Sequence, residues 1–146
     1  MLRLAPLFAL AALALPASAQ QVQVVGGAVE IAIPYDGVAF GTGVDTSARL
    51  EWEGEQGSRF KITVVSIGLG QDYDLQVTAL DARFGKEAGT VPLRFGMAPQ
   101  DLVTSINPGN WRNRIGSATL RYEATAAPDA GAGSDHHTVI YTLTQQ

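Results

Sequence analysis

Ala118-Thr119-Leu120-Arg121-Tyr122-Glu123-Ala124-Thr125 alternates apolar and polar side chains without a break. A period of two is the pattern of a β-strand that buries one face and wets the other. Near the C-terminus, Thr138-Val139-Ile140-Tyr141-Thr142-Leu143-Thr144 repeats it, with Val139, Tyr141 and Leu143 on one face and Ile140 among threonines on the other. β-Branched and aromatic residues of this kind suit a pleated surface. The end of the chain therefore reads as two strands joined by a loop of small residues, and the remaining sequence has to supply the sheets they belong to.

Upstream, Ala48, Leu50 and Trp52, then Phe60, Ile62 and Val64, then Tyr73, Leu75, Val77 and Ala79 each mark one apolar face. The connections Gly54–Ser58 and Ile67–Gln71 are of hairpin length and carry two glycines each, so these three strands are expected to pair in order as an antiparallel meander. Leu50, Ile62 and Leu75 should be buried, and Glu51, Lys61 and Asp74 should face water. Gln21 to Val25 and Ala28 to Ile33 read as an opening strand bent or broken at Gly26-Gly27 and stopped by Pro34. Tyr35-Asp36-Gly37 reads as a turn, Val38-Ala39-Phe40 as a short extended piece and Gly41-Thr42-Gly43 as a loop. Asp81 to Gly89 has the polarity of a loop. Val91 to Phe95 alternates, with Pro92 confined to a sheet edge or a strand start. Ala98 to Ile106 is ambiguous, at most one helical turn, and Asn107 to Asn110 reads as a turn.

Helical periodicity does not persist for three turns anywhere. About eight to ten short strands separated by glycine-rich turns predict an all-β fold, an antiparallel two-sheet sandwich of Ig-like or Greek-key kind. No internal repeat or low-complexity linker divides the chain.

Met1-Leu2-Arg3, the apolar run Leu4 to Pro16 and the small residues Ala17-Ser18-Ala19 have the layout of an export signal cleaved after Ala19. The apolar run is interrupted by Pro6 and Pro16 and falls short of the roughly 20 residues that span a bilayer. The expected organisation is a signal peptide over 1–19 and one β-sandwich domain over 20–146. Its expected destination is the periplasm, the cell surface or the medium. The 146-residue chain has no cysteine, which excludes disulfides, thiol chemistry and thiolate metal sites. Its net charge of −4 with no basic run argues against nucleic-acid or anionic-lipid partners.

Chemistry-bearing constellations are few. Asp135 and His137 lie on one face before the last strand and are the metal candidates, although a third ligand must come from elsewhere. The competing reading is a solvated loop end. Glu51, Glu53 and Glu55 recur at period two and read as the wet face of a strand that discourages edge pairing rather than as acid–base pairs. Asp72 and Asp74 lie the same way, on the wet face of a strand, with a weak calcium site as the alternative reading. No Gly-x-Ser-x-Gly elbow occurs, so catalysis is not expected and no cofactor is implied. Trp52 continues a core face. Asn110, Trp111, Arg112 and Arg114 gather an indole, guanidiniums and an amide, materials that grip a sugar or a carboxylate. Alternatively, Trp111 plugs the open end of the sandwich with the arginines on its rim.

Tyr122 to Gly131 followed by Asp135 to Thr144 resembles the last two strands of exported bacterial surface domains. Val38-Ala39-Phe40-Gly41-Thr42 resembles the Phe-Gly segment after the opening strand of spore-coat-U-like and pilin-like secreted sandwiches. The resemblance implies an Ig-like fold used for extracellular structure. The expected function is that of a secreted, non-catalytic cell-envelope or filament-type sandwich acting through protein partners or self-association by strand pairing. The alternative is a module that binds carbohydrate or another small ligand through the Trp111 loop.

Overall fold

The computed structural model describes residues 20–68, 73–108, 115–127, 129–130, 133 and 136–146. Ten strands carry the fold: β1 (Gln21–Val25), β2 (Thr42–Asp45), β3 (Arg49–Glu53), β4 (Phe60–Ile67), β5 (Tyr73–Arg83), β6 (Lys86–Glu87), β7 (Thr90–Pro92), β8 (Gln100–Ile106), β9 (Gly116–Ala126) and β10 (Thr138–Gln145). They form a six-stranded antiparallel sheet in the order β1-β3-β9-β5-β7, with β2 also on β9, and a four-stranded one in the order β10-β4-β8-β6. The two sheets pack face to face as a β-sandwich.

The stretch that opened the reading is the centre of the larger sheet. On one side β9 pairs with β3 through Gly116 to Thr119 and with β2 through Tyr122 to Thr125, and along its other side it pairs with β5. Ala118, Leu120, Tyr122 and Ala124 are no more than 6% exposed, and they meet Leu50, Trp52, Val77 and Ala79 of the same sheet and Phe60, Ile62, Val64, Leu102, Val103 and Ile106 of the other in one apolar core. Leu50, Ile62 and Leu75 are buried as expected, and Asp74 is exposed.

The pairing differs from the meander. Strands β3 and β5 lie in the larger sheet and β4 in the smaller. The glycine-bearing connection after β3 therefore crosses from one sheet to the other instead of closing a hairpin. Among the described residues no two consecutive strands are hydrogen-bonded neighbours. From β3 onward every connection passes from one sheet to the other.

Four local readings are also corrected. Thr42 to Asp45 is strand β2 rather than loop, because Gly43 lets it lie against Ala32 and Ile31 where a Cβ would collide. Strand β5 runs on through Asp81, whose φ of 54° breaks the register with β9 between Leu80 and Arg83. Lys86 and Glu87 then form β6. Residues 100–106 form β8, an inner strand of the smaller sheet, not a helical turn.

The opening segment does break at its glycines, where Gly26 and Gly27 take φ of 123° and 82°. A Cβ on Gly26 would stand 2.8 Å from the Ser47 carbonyl oxygen. Beyond the break, Val29, Ile31 and Ile33 still pack on the core. Pro92 sits in β7, an edge strand, where its missing N–H costs no ladder bond.

Candidate functional site

A strand rich in β-formers is an edge. β10 pairs with β4 from Thr138↔Ile67 to Gln145↔Phe60, and its other side has no ladder partner among the described residues. Val139, Tyr141 and Leu143 face the core but stay half-buried, whereas Thr138, Ile140, Thr142 and Thr144 are exposed. No residue of β10 carries a charge. The outer face beside it continues this character: Ile140 lies opposite Val65 and Thr138 opposite Ile67 on β4, and Ile67 is 53% exposed.

Further apolar side chains reach solvent on the loop between β1 and β2. Tyr35 and Phe40 form a β-bridge, and their rings pack tilted at 42° with centroids 4.9 Å apart. They hold a turn in which Asp36 Oδ1 accepts the backbone N–H groups of Val38 and Ala39 at 2.8 Å each. These bonds, first that from Ala39, pull the Asp36 carboxyl below its ordinary value. The tip they build presents Val38, 89% exposed.

His137 is half-buried rather than solvated. Its Nδ1 lies 3.2 Å from Ser66 Oγ on β4, and its ring meets Tyr73 of β5 edge-on at 5.2 Å. The imidazole thus bridges strands of the two sheets, while His136 faces water. Asp135, the other metal candidate, lies outside the described residues. Among the described residues no three His, Cys, Asp or Glu side chains converge as a metal set.

Glu51 of β3 and Asp74 of β5 are engaged in surface pairs. Glu51 pairs with Arg49 at 3.5 Å and accepts a hydrogen bond from Gln23 at 3.3 Å. Asp74 meets Arg94 at 3.1 Å, and Asp72 lies outside the described residues. A shallow depression lined by Gln21, Gln23, Glu51, Trp52, Glu53 and Ile115 has room for about 20 Å³, far below the roughly 300–1,000 Å³ of ligand clefts.

Asn110, Trp111, Arg112 and Arg114 also lie outside the described residues. Trp52 is core, as expected, at 1% exposure. Its indole covers Gly116 at the start of β9, and its Nε1 is buried without a hydrogen-bond partner among the described residues. No helix among the described residues is long and apolar enough to cross a membrane. Comparison with protein-family models, with curated proteins and with solved structures finds no match to this chain.

The pairing potential of β10 was visible in its sequence. Its position at an open edge was not, because edge or centre is decided by which strands flank it.

Proposed function

We propose that this protein is exported and acts without catalysis, as a structural sandwich of the cell envelope or the extracellular space that works by associating with protein chains. The observation that carries this reading is β10, an uncharged strand of eight residues with one side of its backbone unpaired among the described residues. Edge strands present a row of free N–H and C=O groups, and proteins that must stay alone blunt them with charge, proline, bulges or brevity. β10 has none of these guards. The exposed Tyr35 and Val38 of the β1–β2 loop and Ile67 of β4 add apolar surface of the kind that contacts between chains bury. The signal-like start over residues 1–19 and the resemblance to secreted sandwiches favour a place outside the cytoplasm.

Sizing by light scattering, with negative-stain microscopy of the exported protein purified from its producing cells, tests the reading. Discrete assemblies or filaments are expected. A monodisperse monomer at tens of micromolar would overturn it.

A further inference from the structure

The other strands that pair on one side only among the described residues differ from β10 in ways that matter for pairing. β7 is three residues long and ends in Pro92, and β6 is two residues long and consists of Lys86 and Glu87. Both are guarded by the devices that prevent edge-to-edge addition. β2, paired only with β9, has four residues and ends in Asp45, and β1 is uncharged but has only five residues and stops at the Gly26-Gly27 break. β10 offers eight residues without charge or proline.

The order of residues along β10 narrows what can add to it. Opposed residues in an antiparallel pair lie on the same face of the sheet. With the two-fold axis at Tyr141, Val139 of one copy faces Leu143 of the other, Ile140 faces Thr142, and Thr138 faces Thr144. Each half-buried position then meets a half-buried one, and each exposed position an exposed one. The strand is complementary to its own reverse and brings no like charges together. A one-residue shift would set inward side chains against outward ones.

The core side of β10 needs cover as well. Val139, Tyr141 and Leu143 point inward yet remain partly exposed, because among the described residues no strand continues the sheet beyond them. β1 of the facing sheet comes close to β10 on this side, and its Val24 and Val25 are each 43% exposed. A neighbour added here would extend both layers at once.

We infer that β10 pairs with β10 of a second copy of this chain, antiparallel about a two-fold axis at Tyr141, and joins two four-stranded sheets into one. The inference rests on the association reading above and names its partner. An isologous contact of this kind closes on itself, so its product is a dimer, which is also the unit from which any larger assembly is built.

Sedimentation of the purified exported chain is the test, with Ile140→Lys/Thr142→Lys and Ile140→Glu/Thr142→Glu as variants. Both positions are exposed, so each variant should keep the wild-type circular dichroism. The wild type should run as a dimer and each variant alone as a monomer, because like charges then face each other twice across the axis. An equimolar mixture of the two variants should recover the dimer.

Should the charged variants fail to fold, single cysteines give a second readout in a chain that has none of its own. Mixed Ile140→Cys and Thr142→Cys proteins should oxidise to a cross-linked heterodimer in preference to either homodimer. Directly opposed residues lie about 4.5–5.5 Å apart at Cα, within disulfide reach. A monomeric wild type, or a mixture that does not cross-link, would overturn the inference. Assemblies that persist unchanged in the lysine variant would also overturn it, while leaving association through another surface in place.

Discussion

Tyr122 of β9 and Tyr141 of β10 share a hydrogen bond between their hydroxyls across the two sheets. The last strand is thereby joined, through the core, to the central strand of the opposite sheet. Burial pushes the Tyr141 phenol far up and raises that of Tyr122, the latter helped by the nearby Asp45 carboxylate. Both therefore ionise above the ordinary value of 10.0.

A group whose folded pKa is raised keeps its full contribution to stability below the unfolded value and loses it as pH rises towards the folded one. The protein should hold constant stability with respect to these tyrosines up to about pH 10 and then weaken steeply. The tyrosinate absorbance of this pair, read as the difference from the Tyr122→Phe/Tyr141→Phe variant, should appear together with loss of the folded circular dichroism. Normal titration of both phenols in a folded protein would contradict the pairing.

Removing one hydroxyl should cost more than removing both. Tyr141→Phe leaves the Tyr122 hydroxyl buried without its partner, a loss of about 1–3 kcal/mol, whereas Tyr122→Phe/Tyr141→Phe should recover part of it. Urea unfolding of the two single variants and the double variant measures this directly. Strict additivity would mean that the hydroxyls act independently.

Face assignment was legible in the sequence because a period of two is a local property. Leu50, Ile62, Leu75 and Leu120 could be placed inside without knowing which strand lay beside which. Pairing was not legible, since Gly54 to Ser58 has the length and glycines of a hairpin while the chain uses that connection to change sheets. β8 was missed for a physical reason too. Leu102 and Val103 are both buried because register shifts where β8 meets β4 around Ile62 break the alternation, and a broken period looks like no period. Asp81 hid the end of β5 in the same way, its polarity and positive φ marking an irregularity inside a strand rather than its end. At the candidate site, the uncharged β-formers of β10 were readable, but the open edge depends on contacts far along the chain.

Leu75 and Asp74 are adjacent on β5 and point to opposite faces. Leu75→Ala should destabilise by about 2–5 kcal/mol, the usual result of emptying a core leucine site. Asp74→Ala removes only an ion pair whose two side chains are 69% and 63% exposed, so its effect should stay within about 0.5 kcal/mol. Thermal or denaturant unfolding checks both. Equal, small effects would refute the assignment of faces.

Gly116 is required by Trp52. A methyl group at Gly116 would occupy the position of the indole ring, and forcing the ring aside should cost about 1–3 kcal/mol or more. Gly133→Ala meets nothing within 4 Å and should be silent within about 0.5 kcal/mol. Trp52 fluorescence should shift in the first variant and not in the second.

Export is tested at the N-terminus. Mass spectrometry of the protein recovered outside the cytoplasm should find a chain that begins at Gln20. Retention of Met1 in that material would remove the basis for a cleaved signal.

The central claim is that β10 is the surface through which this protein associates, and hydrogen exchange of its backbone amides measures that most directly. In the monomer, the amides of Thr138–Gln145 that bond to β4 should be protected, and the alternating ones on the open edge should exchange freely. Raising the protein concentration should slow exchange of the open-edge amides and leave the rest of the sandwich unchanged. Exchange along β10 that is the same at every concentration, in protein that assembles, would contradict the account.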